Sequence, residues 1–162
     1  MDERWTSTVE RIVSGGQAGA DRAALDVALA LGIACGGWVP AGRWAEDGAI
    51  SERYPNMRET VSAKPRRRTE RNVRDSDATL VFSCGSPEGG TELTVRMAQK
   101  HGKALLVIDV LDQVAEVAAA RVRAWLDQCQ PRVLNVAGPR SSKCPEIYMA
   151  VRDTLTLVFA EE

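Results

Sequence analysis

Three stretches carry residue types that suit one kind of chemistry, the capture of an anion. "SGGQAGAD" (14–21), "CGSPEGGTE" (84–92) and "NVAGPRSS" (135–142) set glycines and polar side chains ahead of helical patterns. Glycine allows positive φ and close backbone approach. A helix start then offers free N–H groups and the positive end of the helix dipole, which suit a phosphate. Gln17, Asp21 and Arg22 open the first helix, Glu92 and Thr94 the second, and Arg140 and Ser141 follow the third turn. Glu46 and Asp47 stand beside Gly48 in a long irregular stretch. Arg22, Arg74 and Arg140 are candidates for charge-assisted hydrogen bonds to an anion, with Gln17 and Thr91 orienting it.

Other chemistries fit less well. Counted from Gly15, the later glycine places of a dinucleotide GxGxxG hold Gln17 and Ala20. No acidic residue ends the second strand to hold a ribose, which argues against NAD. Gly85 and Gly90 have P-loop spacing, but Thr91 stands where the lysine belongs, which argues against a nucleoside triphosphatase. There is no Ser–His–Asp set. Cys35, Cys84, Cys129 and Cys144 form no CxxC pair, and the single histidine, His101, reads as a helix-end cap. No metal site is expected from them, and Cys35 and Cys84 read as buried thiols.

The elements that must position these residues alternate. Strands are expected at 11–15, 33–38, 78–84, 103–109 and 132–138, with helices at 20–32, 91–102, 113–129 and about 145–159. Strands apolar nearly throughout are buried on both faces, so the fold class is α/β. We expect a doubly wound, Rossmann-like parallel sheet of about five strands with helices on both faces. Ligands then bind outside the carboxyl ends of the strands, where the three glycine turns fall. Two stretches break the rhythm. Residues 39–65 show no sustained period and hold three prolines, and a connection that long is often functional. "RRRTERNVRDSD" (66–77) has only Val73 as an apolar residue and leads to the amino end of the third strand. A solvated helix, arginines swung toward the ligand edge and a nucleic-acid patch are its three readings. Interleaved acids and the lack of aromatics argue against the last.

The composition, 162 residues with 44% hydrophobic and 27% charged, suits one domain over 1–162. A net charge of −1 gives no global pull toward nucleic acid or acidic membrane. No apolar run approaches ~20 residues. "MDERWTSTVER" lacks the basic and apolar regions of a secretory signal, so a cytoplasmic location is expected.

Together, "SGGQAGADRAALD", "GGWVPAGRWAEDG", "RTERNVRDSDATLVF", "GGTELT" and "NVAGPRSS" resemble the bacterial molybdenum cofactor carrier proteins, within the wider lysine-decarboxylase-like and DprA-like Rossmann group. The match covers nearly the whole chain, with the motifs in the family's order. It implies a Rossmann-like fold, homo-oligomers and an anionic, phosphate-bearing ligand. In the carrier members that ligand is the molybdenum cofactor, a pterin with a terminal phosphate and an oxo-metal dithiolene. By motif, Gly15, Gly16, Gln17, Asp21 and Arg22 fall in the first ligand turn, and Gly89, Gly90 and Thr91 in the phosphate turn. Arg74, Asp75 and Ser76 match a charged motif of the site. Ala18 stands where the family often has threonine, and Arg71 replaces a common aromatic.

Relatives in the wider group hydrolyse the N-glycosidic bond of nucleoside monophosphates with an arginine and a glutamate near "PGGxGTxxE". Here "SPEGGTELT" lacks the glycine between GG and T and has Thr94 in the glutamate's place. An oxocarbenium-like centre needs a carboxylate, which leaves Glu92 or Glu46 as the catalytic candidates. The expected function is therefore a binder or carrier of a phosphorylated small molecule, with the molybdenum cofactor as ligand. A molybdoenzyme or cofactor-synthesis protein is its partner. The alternatives are a nucleoside-monophosphate N-glycosidase and a nucleotide-sensing module.

Overall fold

The structure, a computed structural model, describes residues 4–160; residues 1–3 and 161–162, the ends of the single domain expected over 1–162, lie outside the described residues. Strand β1 (Arg11–Val13) leads through helix α1 (Ala20–Leu31) to β2 (Ala34–Val39). Then come a hairpin of β3 (Trp44–Ala45) and β4 (Gly48–Ala49), the short strand β5 (Met57–Glu59) and helix α2 (Pro65–Arg74). The chain continues as β6 (Ala78–Ser83), α3 (Gly89–Lys100), β7 (Ala104–Asp109), α4 (Ala115–Cys129), β8 (Val133–Ala137) and α5 (Ile147–Phe159).

Six strands form one parallel sheet in the order β5-β2-β1-β8-β6-β7. It has one strand more than expected, because residues 39–65 contribute β5 at an edge and the two-stranded hairpin. Strands of two or three residues are too short to show a period. Helices α1, α4 and α5 pack together on one face, while α2 and α3 pack on the other. The sheet is thus doubly wound, with its core of Ile12, Leu80, Phe82, Ile108, Leu134 and Val136 all fully buried. From β1 the chain steps outward to β2 and β5, then crosses to β6 and β7 and returns as β8 between β1 and β6. That reversal opens a crevice at the carboxyl ends of β1, β8 and β6.

The long connection is fastened rather than loose. Ala45, Ile50 and Tyr54 are buried in the main core. Asp26 of α1 accepts hydrogen bonds from the Tyr54 hydroxyl, at 2.6 Å, and from Tyr148 of α5. Burial and the Asp26 charge push both phenols up to about 12. Helix α2 starts on Pro65, where a missing N–H costs nothing. It buries only Asn72 and Val73. The Asn72 amide accepts from the Trp38 N–H at 2.8 Å and donates to the Trp38 carbonyl at 2.9 Å. One side chain thus stands in for a strand neighbour and docks a helix that has almost no apolar face.

Candidate functional site

The crevice is a cleft of about 480 Å³ bounded by the ends of β1, β6 and β8, the first half of α2 and the start of α3. Gly15, Gln17, Asp21, Gly89, Gly90, Thr91 and Arg140 line it, as expected of the ligand turns. Gly16 and Arg22 do not line it. Arg74, Asp75 and Ser76 are not brought to it: they sit at the far end of α2. There Arg74 pairs with Asp75 at 3.1 Å and the Ser76 hydroxyl donates to the Val73 carbonyl. Asp75 also accepts from the Trp38 indole at 2.9 Å. Against desolvation, the bonds from Arg74 and Trp38 and the nearby guanidinium charges hold its pKa below the usual value. Trp38 is flanked by Arg71 and Arg58, with guanidinium carbons 4.9 and 5.8 Å from its ring, whereas Trp44 lines the cleft and is half exposed.

The first turn is occupied by the protein itself. Gly16 N–H donates to the Ser14 hydroxyl, Gln17 N–H to Asp21 Oδ2, Ala18 N–H to Gln17 Oε1 and Ala20 N–H to the Pro139 carbonyl. Gln17 Oε1 also accepts from the Glu46 N–H at 2.8 Å, fixing the hairpin. Arg22 donates to the Gly16 carbonyl and pairs with Asp47 at 3.0 Å. Asp47 is held below its ordinary pKa by the Arg22 hydrogen bond, despite some desolvation. Arg68 reaches in from α2. Its Nη1 donates to the Gly15 carbonyl at 2.7 Å and lies 3.4 Å from Asp21 Oδ2. A Cβ on Gly15 would sit 2.1 Å from that nitrogen, so the glycine makes room for arginine. Desolvation raises the pKa of buried Asp21, with the Arg68 charge, the Gln17 N–H and the Arg22 charge pulling the other way.

The second turn is open. Helix α3 has no side-chain cap, and Glu88 O accepts only from the Thr91 and Glu92 N–H groups. Among the described residues, the Gly89 and Gly90 N–H groups have no protein acceptor. A Cβ on either glycine would meet nothing within 4 Å. Beside them, Ser83 is 1% exposed, its hydroxyl has no partner among the described residues, and it lines the cleft. Arg66, Arg68, Arg140 and Lys143 line the cleft against the two acids Asp21 and Glu88, so the cleft carries net positive charge.

Neither expected catalytic carboxylate lines the cleft. Glu92 is exposed and pairs with Arg96 at 3.6 Å on the outside of α3. Glu46 accepts from the Ser142 N–H and hydroxyl, at 3.0 and 2.5 Å, and lies 3.9 Å from Arg140. It therefore anchors the 139–144 turn. Ser83 and Lys143 are cleft residues that sequence reasoning passed over, and Arg66 and Arg68 are the two of the arginine run that reach the cleft. Arg68 had a signal: it shares one helical face with Pro65, Thr69 and Asn72 at i, i+3, i+4 and i+7 spacing. Cys84 is not the free thiol expected from its apolar strand. It is joined to Cys144 in a disulfide with a Cα–Cα distance of 6.5 Å, and both line the cleft. A pairing 60 residues apart leaves no local spacing to read. Cys35 remains a buried thiol with its pKa raised by desolvation.

Fold and cleft together define a Rossmann-like α/β domain with an open crevice at its topological switch point. Residues 12–159 match the model of the circularly permutated YpsA SLOG family, and the chain belongs to that family. It is also similar to a crystal structure from Syntrophus aciditrophicus named "Putative molybdenum carrier protein". The two share 45% identity and a TM-score of 0.92, over 95% of this chain and 97% of that one. The likeness to carrier proteins drawn from the motifs is thereby borne out. No curated protein matches the chain. No helix among the described residues is long and apolar enough to cross a membrane.

Proposed function

We propose that this chain binds a phosphate-bearing small molecule in the cleft and acts as its carrier, with the molybdenum cofactor as cargo. The observation that carries this reading is the unpaired N–H pair of Gly89 and Gly90 beside the unpartnered Ser83 hydroxyl, in a cleft of net positive charge. A terminal phosphate seats on those donors, where the helix dipole favours it. Arg140 and Lys143 add charge from the β8 side. Trp44 offers an exposed aromatic face for the pterin, and Gln17 and Thr91 orient it. A cleft of about 480 Å³ falls within the range for small ligands. The name of the 45% identical structure supports this cargo. A cytoplasmic homo-oligomer that hands the cofactor to a molybdoenzyme, or receives it from a synthesis protein, completes the reading.

Binding ranks above glycosidic hydrolysis because Glu92 and Glu46 are engaged elsewhere and Asp21 is held by Arg68. The test is to mix the purified protein with released molybdenum cofactor and gel-filter it. Molybdenum and pterin are expected to co-elute with the protein, and their absence from that peak rejects the cargo. In parallel, steady release of free base from nucleoside monophosphates would replace the carrier by a hydrolase.

A further inference from the structure

The Cys84–Cys144 disulfide, in the cleft wall, joins two segments that differ in how firmly they are held. The 139–144 turn is tied down on its α1 side. Ser141 N–H donates to the Ala18 carbonyl, the Pro139 carbonyl accepts from Ala20, and Ser142 is bound by Glu46. The 84–90 segment has far less. Gly85 N–H donates to Asp109 Oδ1 at 2.9 Å, and among the described residues 86–88 bond only to the first turn of α3. The disulfide is thus the tether that fastens the segment carrying Gly89 and Gly90 to the turn carrying Arg140 and Lys143.

We propose that Cys84 and Cys144 form a thiol–disulfide exchange site in the cleft wall for small thiols of the glutathione class, and that its state sets how firmly the anion loop is held. The consequence for anions rests on the cleft reading above; the exchange itself does not. Both cysteines line the open cleft, but Cys84 is half-buried and Cys144 buried, so attack falls on Cys84 Sγ. An incoming thiolate bonds to Cys84 Sγ, the S–S bond breaks, and its electron pair leaves on Cys144 Sγ, which then takes a proton. A second thiolate attacks the mixed disulfide and releases Cys84, so two thiols supply two electrons and leave as their own disulfide. The charge of Lys143, next to Cys144 in the chain, favours the departing Cys144 thiolate. The exposed Glu146 carboxylate, whose oxygen is within 4.8 Å of the sulfurs, opposes it. Reduction unties the loop, and an anion must then order it on binding.

The test equilibrates native protein in graded glutathione buffers, traps thiols with iodoacetamide and maps the labelled peptides. Cys84 and Cys144 are expected to gain label together as the buffer becomes reducing, while Cys35 stays protected. Cys144→Ser is expected to capture glutathione on Cys84. Titration with inorganic phosphate is expected to be roughly three- to tenfold weaker in the reduced form, the cost of ordering a side chain or two. A Cys84→Ser, Cys144→Ser protein should bind like the reduced form and ignore the buffer. Label at both cysteines in the most oxidising buffer, or at neither until the protein is denatured, overturns the exchange site. Equal phosphate affinity in the two forms overturns its control of the loop. Failure of both forms to bind phosphate overturns the cleft reading and that control together, while the labelling still decides the exchange.

Discussion

The turn after β1 and the turn after β6 both place paired glycines before a helix on the same edge of one sheet. After β1, the glycines admit other parts of the chain. Arg68 lies over Gly15, Ile50 over Gly16, and the 139–141 backbone against Gly19. After β6, no described residue lies within 4 Å of a Cβ added at Gly89 or Gly90, and among the described residues their N–H groups are unpaired. A glycine-rich turn therefore has two physical uses, close packing of chain on chain and exposure of N–H groups to a ligand. The letters are the same for both. What separates them is whether the neighbouring segments reach the turn, which depends on α2 and the 39–65 connection.

The largest expected effect comes from adding one methyl group to each turn. At Gly19, φ is 112° and a Cβ would lie 2.6 Å from the Pro139 oxygen and 2.7 Å from the Ser141 nitrogen. Both are backbone atoms, so nothing small can move aside. Gly19→Ala is expected to cost about 3 kcal/mol or more in denaturant unfolding. Gly90→Ala is expected to keep or gain stability, by up to about 1 kcal/mol, because a helical glycine is replaced by alanine. Its methyl projects where the anion would sit, so phosphate affinity is expected to fall about tenfold. Similar stability losses in both variants would break the contrast between closed and open turns.

A smaller effect tests the buried charge of the closed turn. Asp21 has a raised pKa because burial outweighs Arg68. An acid with a higher pKa folded than unfolded binds more protons when folded, so its contribution to stability is fully present below the unfolded pKa and is lost as pH rises through the folded one. Asp21→Asn removes that slope. In thermal unfolding, the advantage of the native protein over this variant is expected to be greatest in acid and to shrink toward neutral pH. An advantage that grows with pH would mean that the Arg68 pair dominates.

These variants bear on what a sequence can carry. The sheet was legible because β6, β7 and β8 are apolar runs bounded by turns, and only burial between helix layers explains such runs. Strands β3, β4 and β5 were not, since they lack the β-branched run that marks the equally short β1, and β5 sits at an edge. The residues of the first turn could be found by type, but not their employment. Gln17 and Arg22 hold the hairpin, and no pattern within 14–22 announces Glu46 or Asp47 as their partners. Arg68 was hidden among five arginines, and only its place on the face of Pro65, Thr69 and Asn72 distinguishes it.

On the open side, Arg140→Ala is expected to weaken phosphate binding by about 1 kcal/mol, a modest effect because the side chain is partly exposed and screened. The salt dependence of binding should flatten with it, and unfolding should change little. Calorimetric titration at two ionic strengths checks both. Unchanged affinity would place the anion away from the β8 wall.

The smallest effect is expected from Glu92→Gln, and it sharpens the contrast from the other direction. Glu92 follows the open turn directly, two residues after Gly90. Its side chain, however, is more than half exposed and faces Arg96 one helical turn on. An exposed pair of this kind contributes little, so stability should change by less than about 0.5 kcal/mol. Phosphate affinity should hold or rise slightly, since one negative charge near the helix start is removed. A large loss of ligand binding, or the loss of a measurable base-releasing activity, would mean that Glu92 turns into the cleft when ligand is present. The second turn would then hold a reacting group as well as an anion, and the division between a closed packing turn and an open binding turn would need a third, catalytic use of the same glycines.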